Sequence, residues 1–220
     1  MKLCFLAGAN SVHSYRWIKY LADKGYEIYW ISLAPLGDCG IEIKNLKLYL
    51  TPYPIEKWHL EPSSLLKLLF NIIWVGRLIK KIKPDILHSH YAGVNGLVGA
   101  LSRFYPFILT TWGSDVLIAG KSIIKKPLVK FTLNRADLIT CDAEHMKEAM
   151  IKLGASSSKI KIVYFGVDTQ KFSPGLKDEK LIQKLQLQNS LIIISLRNLE
   201  PVYNLETFIN AIPLILKEFP

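Results

Sequence analysis

Residues Lys2-Leu3-Cys4-Phe5-Leu6-Ala7, followed by Gly8-Ala9-Asn10-Ser11-Val12-His13, decide how the rest of the chain is read. The first run is apolar and of strand length. The second is a polar loop led by a glycine, a residue that lets the chain turn tightly. A helical pattern follows over about Ser14–Lys24, and Gly25 stands where a helix C′ residue belongs. Strand, loop and helix make the opening of a βα repeat.

That alternation continues outward, which predicts an α/β fold with a parallel sheet. Tyr26–Leu33 reads as a second strand. Ile41, Ile43, Leu46, Leu48 and Leu50 suggest a third, closed by Pro52 and Pro54. Ser63 or Ser64 is expected to cap a long helix reaching about Ile82, whose basic end (Arg77, Lys80, Lys81, Lys83) suits the negative pole of its dipole. Strands are then expected at Asp85–His88, Phe107–Thr111, Asp137–Cys141 and Ile160–Tyr164. Helices are expected at Val94–Phe104, Leu128–Arg135 and Ala143–Leu153. From Ser173 to Ser190 the composition shifts to Pro-Gly, charges and glutamines, a linker with a short helix. Leu191–Leu196 reads as a strand and Leu205 to about Phe219 as a helix. One strand and one helix cannot enclose a core, so residues 191–220 read as an incomplete second α/β domain.

Composition bounds the class. The 220 residues carry 28 Lys and Arg against 18 Asp and Glu, a net charge of +10, with half the residues apolar and 21% charged. Disorder, collagen-like repeats and a disulfide scaffold are excluded. Cys4, Cys39 and Cys141 form no framework of pairs and no CxxC zinc pair, which points to a reducing, cytoplasmic compartment. Leu3–Ala9 is short for a secretory signal. The most lipid-like run, Leu65–Ile79, is interrupted by Lys67, Asn71 and Arg77; at about 15 residues it falls short of the roughly 20 needed to span a bilayer. The positive charge permits attraction to anionic lipid, phosphorylated ligands or nucleic acid.

In a parallel α/β sheet ligands bind beyond the carboxyl ends of the strands, so three loops carry the candidate chemistry. Gly8–His13 could meet an anion with backbone N–H groups, although it is not the GxGxxG of a dinucleotide site. In His88-Ser89-His90 the two histidines share one strand face, and His88 reads as a core residue with His90 at the strand mouth. An HxH pair also leaves open a metal-dependent hydrolase built on His88, His90 and Asp115. Thr110-Thr111-Trp112-Gly113-Ser114-Asp115 ends a strand on a small-residue turn that presents a hydroxyl and a carboxylate, or simply a helix cap.

Several segments in order carry a resemblance: Ser-Val-His-Ser-Tyr-Arg-Trp (11–17), Lys-Gly-Tyr-Glu-Ile (24–28), Pro-Asp-Ile-Leu-His-Ser-His-Tyr (84–91), Trp-Gly-Ser-Asp (112–115), Arg-Ala-Asp (135–137) and Phe-Gly-Val-Asp-Thr-Gln-Lys-Phe (165–172). Together they resemble the N-terminal half of the GT-B glycosyltransferases of family 4, the glycosyltransferase group 1 type. The similarity covers about residues 1–172 and continues into Ser195–Glu200. It implies a Rossmann-like acceptor-side domain over residues 1–172, a linker over 173–190 and the first strand and helix of a donor-side domain over 191–220. The implied activity moves a sugar from a nucleotide-diphosphate sugar to a glycan or lipid-linked acceptor, with retention, without a metal ion or other cofactor. By the same resemblance His90 and Asp115 are catalytic, Arg197 and Asn204 meet the donor diphosphate, and Asn10, Ser11, His13, Arg16, Trp112 and Ser114 meet the acceptor.

The chain departs from the family where a Lys usually stands six residues beyond that Arg; here it is Tyr203, which supplies no charge. The family's E-x7-E donor-sugar segment would lie beyond Pro220, so residues 1–220 alone are expected to be nearly inactive. Lys121, Lys125, Lys126 and Lys130 flank Ile123, Ile124, Leu128 and Val129, a basic-apolar mix that suits peripheral contact with an anionic membrane on its inner face. No nucleic-acid recognition module accompanies the charge. A non-catalytic acceptor-binding module is the other alternative.

Overall fold

The computed structural model describes residues 1–37, 40–55, 62–188 and 190–219; Cys39 lies outside them. The chain divides into two compact units, Met1–Gly166 and Val167–Pro220.

The first unit is built on a parallel sheet of seven strands: β1 (Lys2–Leu6), β2 (Glu27–Ser32), β3 (Leu46–Leu50), β4 (Ile86–His90), β5 (Phe107–Thr110), β6 (Leu138–Cys141) and β7 (Ile160–Ile162). Their order is β3-β2-β1-β4-β5-β6-β7. The helices between them are α1 (Val12–Asp23), α2 (Pro62–Ile82), α3 (Val94–Leu101), the short α4 (Ser114–Leu117), α5 (Lys125–Arg135) and α6 (Glu144–Lys152). From β1 the chain steps one way to β2 and β3, then returns past β1 and steps the other way through β4 to β7. Parallel crossovers are right-handed, so reversing the direction of travel moves the helices to the other face. The two cores obey this. Cys4, Leu6, Tyr29 and Ile31 pack with Val75 and Ile79 of α2, Val98 of α3, Val129 and Leu133 of α5 and Met146 and Met150 of α6. Leu3, Phe5, Ile28 and Trp30, on the opposite face, pack with Ile18 and Ala22 of α1. Trp30 is fully buried and donates its indole N–H to the Ala7 carbonyl at 2.8 Å, so the ring adds a hydrogen bond to its apolar area.

Several boundaries differ from the sequence reading. The third strand begins only at Leu46; Ile41 and Ile43 precede it and pack partly buried against the smaller core. Ser63 and Ser64 lie inside the first turn of α2, which Pro62 opens, rather than capping it. Pro suits that position because the first helical N–H has no partner. The run expected to fall short of a bilayer belongs to this 21-residue helix, which by length and apolarity alone could cross a membrane. One stripe of it (Asn71, Val75, Ile79, Ile82) is buried on the domain. Asn71 is tolerated there because its amide donates to the Tyr53 carbonyl at 2.9 Å and its carbonyl accepts from the Thr51 hydroxyl. The opposite stripe, Leu65, Leu66, Leu69, Phe70 and Ile73, is exposed.

The second unit contains α7 (Glu179–Lys184), capped by the Asp178 carboxylate accepting from Leu181 N at 3.1 Å, a 3₁₀ turn at Pro201–Tyr203, and α8 (Leu205–Glu218). The strand expected at Leu191–Leu196 is not formed: these residues are exposed and belong to no strand or helix. A strand exists only through a hydrogen-bonded neighbour, and the described residues of this unit offer none.

Small residues let α3 approach the sheet. A methyl group at Gly99 would meet Phe107 Cε2 at 2.8 Å as well as Ser89 Oγ, and one at Gly96 would meet Thr132 Cγ2 at 2.8 Å. Gly99→Ala is expected to lower stability by about 1–3 kcal/mol through overpacking. Urea unfolding checks this, and an unshifted midpoint would remove the close-packing account.

Candidate active site

Strand order reverses between β1 and β4, and a crevice opens there at the carboxyl ends of the strands. β1 delivers the Gly8–Ser11 loop to this rim, and β4 delivers His90 as its last residue. Ser11 caps α1, its hydroxyl accepting from Ser14 N at 3.3 Å, which fixes where the helix starts. Ser14, two residues past the helix start at Val12, then reaches across to the Nδ1 of His90 at 3.1 Å.

The two histidines are on one face, ring centroids 4.8 Å apart, and both are buried. His88 is anchored in the core as expected: its Nε2 bonds Thr110 Oγ1 at 2.7 Å, and Thr110 bonds Thr140 Oγ1 at 2.7 Å. Burial pushes its pKa down to about 3. His90 is also held well below the ordinary histidine value, by burial first and then by the proximity of His88 and His13. Its ring is walled by Phe5, Trp17 and Trp112, at centroid distances of 5.7, 5.9 and 5.4 Å. Its Nε2 is buried and has no hydrogen-bond partner among the described residues.

Asp115 lies in the first turn of α4, fully buried. Its Oδ2 accepts from Ala92 N at 2.7 Å and its Oδ1 from Trp112 N at 3.0 Å. One carboxylate thus pins the loop after β4 to the loop after β5. Burial raises its pKa, and those same backbone N–H groups oppose the rise. Just before Ala92, Tyr91 holds a left-handed backbone at φ 79°, and its hydroxyl meets Ser114 Oγ at 3.2 Å. Such a conformation costs a non-glycine residue about 1–3 kcal/mol and persists where surrounding contacts enforce it.

Beside this lies an open cleft of about 550 Å³, lined among others by His13, Arg16, Trp17, Tyr20, Trp112 and Phe165. His13, Trp112 and Phe165 form a stack, with Trp112 and Phe165 5.0 Å apart and tilted by 10°. Arg16 donates to the Gly166 carbonyl. Of the expected acceptor residues, His13, Arg16 and Trp112 therefore share one cleft; Asn10 is exposed, Ser11 caps a helix and Ser114 bonds Tyr91. In the second unit the Arg197 guanidinium lies 5.6 Å from the Tyr203 ring centre, and left-handed Asn204 (φ 49°) accepts from Thr207 Oγ1 at 3.0 Å at the start of α8. Ser14, Trp17 and Phe165 lie in the quoted segments but carry no site role in the sequence reading. Ser14 and Trp17 are spaced to share a helix face, but a helical pattern does not say which strand end that face meets. Among the described residues no group of three or more His, Cys, Asp or Glu comes together to hold a metal, so the hydrolase centre of His88, His90 and Asp115 is not assembled.

The unfolded chain protonates both histidines near pH 6.5, the fold only far below it. Between those values the unfolded state binds more protons, so this stability is complete above about pH 6.5 and falls as pH drops below it. Urea midpoints at about pH 7.5 and about pH 5.5 check this, and equal midpoints would contradict it.

Comparisons with known proteins bear on the family and the fold. The model of the Glycosyl transferase 4-like family matches residues 2–143. An uncharacterized glycosyltransferase of Methanocaldococcus jannaschii is 30% identical over 133 residues, 59% of this chain and 36% of that protein. A UDP-Gal:alpha-D-GlcNAc-diphosphoundecaprenol alpha-1,3-galactosyltransferase of Escherichia coli is 28% identical over 163 residues, 70% of this chain and 42% of that one. Among solved structures, Anabaena HepE in complex with UDP superposes with a TM-score of 0.61 at 19% identity, over 86% of this chain and 51% of its own. Sucrose-phosphate synthase from Thermosynechococcus elongatus gives 0.64 at 14% identity, over 85% and 53%. The chain spans less than half the length of these two curated relatives and about half of these solved chains. With the family model, the relatives and the shared sheet in accord, the chain belongs to the glycosyl transferase 4-like family, and its first unit has the Rossmann-like GT-B fold of those enzymes.

Proposed function

We propose that residues 1–172 are the acceptor-side domain of an enzyme that moves a sugar from a nucleotide-diphosphate sugar to a glycan or lipid-linked acceptor, retaining anomeric configuration without a metal ion. The observation that carries this reading is His90: a buried ring, fixed by walls of aromatic carbon at the switch point, with a polar atom left for a ligand. A buried polar group without a partner is costly, and a substrate oxygen removes that cost. In the reaction the bond from the anomeric carbon to the diphosphate oxygen breaks, a bond to an acceptor hydroxyl oxygen forms, and the hydroxyl proton leaves with the product diphosphate. Negative charge grows on that diphosphate, and we assign Arg197 and Asn204 to it; a guanidinium meets phosphate bidentately and stands in for a metal. Asp115 we assign to holding the rim loops in catalytic register, through the bonds to Ala92 and Trp112.

Two relatives support the substrate classes. The Escherichia coli relative is named for a UDP-sugar donor and a diphosphoundecaprenol acceptor, and HepE is solved with UDP. The cleft of His13, Trp112 and Phe165 beside Arg16 suits a sugar or lipid head carried on phosphate: aromatic faces for stacking and a cation at the edge.

A lipid-linked acceptor calls for a membrane surface. Leu65, Leu66, Leu69, Phe70 and Ile73 of α2 are exposed together, as are Ile118, Ile123 and Ile124 near Lys121, Lys125 and Lys126. Because the other stripe of α2 is committed to the domain core, we assign the helix to lying in the membrane interface rather than crossing it. Cys4 and Cys141, both free and buried, suit the cytoplasmic side, and burial pushes the Cys4 thiol up to about 12, leaving it unreactive. Since the chain spans about half of its structural relatives, residues 1–220 alone are assigned little turnover.

A transfer assay of the enzyme that carries residues 1–172 as its acceptor-side domain, with a panel of nucleotide-diphosphate sugars, tests the reading. His90→Ala is expected to lower the rate by about 10²-fold or more with circular dichroism unchanged, and an unaltered rate would sink the assignment. Co-sedimentation with anionic vesicles at low salt tests the membrane face. Binding should weaken about tenfold or more in the double variant Leu66→Asp, Leu69→Asp and fall with added salt. Equal binding by the variant would move the contact elsewhere.

A further inference from the structure

The ring of His90 has two nitrogens with different surroundings, and the contacts of Ser14 decide which carries the proton. The Ser14 side chain is buried, and its one hydrogen bond among the described residues runs to His90 Nδ1 at 3.1 Å. If the hydroxyl donates, Nδ1 is the acceptor and a neutral ring must carry its hydrogen on Nε2. If Nδ1–H donated instead, the Ser14 hydroxyl hydrogen and the Nε2 lone pair would both be buried without partners. The first arrangement leaves a single group unmet among these, the buried Nε2–H. Four rings, those of Phe5, Trp17, His88 and Trp112, stand around the imidazole and leave its side-chain hydrogen bonding to Ser14.

We propose that Ser14 is a positioning residue that locks His90 in its Nε2–H tautomer, so that His90 meets its ligand as a hydrogen-bond donor and not as a proton acceptor. The ligand atom opposite it is therefore an oxygen lone pair, a sugar hydroxyl or ring oxygen. The attacking hydroxyl's proton does not pass to this ring. Burial and the neighbouring His88 and His13 also keep the imidazole from taking a second proton, which would make both nitrogens donors. The inference rests on the transferase reading only for the identity of the ligand; the tautomer is a property of the free chain.

Nitrogen-15 NMR of the uniformly labelled 220-residue chain near neutral pH, without substrate, reads the tautomer directly through long-range couplings from the ring carbon-bound protons. His90 signals are assigned by their loss in His90→Gln. The expected pattern is a protonated Nε2 and an unprotonated, hydrogen-bonded Nδ1. Ser14→Ala should move both nitrogen shifts towards a tautomer mixture, Ser14→Thr should restore the original pattern, and His88, held by Thr110, should keep its own signals in each. A protonated Nδ1 in the unsubstituted chain overturns the proposal, as do His90 signals that are identical in Ser14→Ala. Because no transfer is measured, this outcome is independent of whether the chain proves to be a glycosyltransferase with the substrates assigned above.

Discussion

The parallel pairing of β1 with β4 is the constraint on which the rest depends. Leu3 sits opposite Ile86 and Leu6 opposite Ser89, joining segments separated by two strands and two helices. With β2 on the other side of β1, that pairing makes the direction of strand addition reverse at this point and nowhere else in the sheet. Handed crossovers then send α1 to one face and the remaining helices of the domain to the other. The crevice is a by-product: two loops leave adjacent strand ends in opposite directions, and the space between them is left open for a ligand.

Polar side chains would be costly on a buried sheet face, and the α1 face shows how that cost is met. His88 reaches diagonally to Thr110 on the next strand, and Thr110 bonds its register partner Thr140 on the strand beyond. His90 is met by Ser14 from the helix above, and Asp115 by two backbone N–H groups from two loops. Of these groups, one imidazole nitrogen, His90 Nε2, is left without a partner among the described residues. A fully satisfied network rigidifies the rim, so its one unmet atom is where a ligand gains most.

The alternation of apolar runs and amphipathic segments was enough to place the strands and most helices of the first unit within a few residues, because a buried parallel strand and a half-buried helix write different periods into the chain. Where local signals misled, a neighbour decided. Leu191–Leu196 has the residues of a strand and, among the described residues, no adjacent strand to complete it. Ser63 and Ser64 are good caps but fall after Pro62, which begins the helix itself. Leu65–Ile79 has interruptions on its buried and exposed stripes alike, and only the fold shows that Asn71 is accommodated inside by Thr51 and Tyr53.

The candidate site divides in the same way. By itself the sequence determined the repeat, the positive charge, the HxH strand end and the Gly-Ser-Asp turn, since these are local patterns and ordered motifs. Only the tertiary structure decided that Ser14 sits on His90, that Trp17 and Trp112 wall it, that Phe165 stacks into the cleft and that Asp115 binds two loops together. The physical reason is sequence distance. Ser14 and His90 are 76 residues apart and Ala92 and Asp115 are 23 apart, and no local periodicity can say which side chains a sheet of reversed order will carry to the same rim.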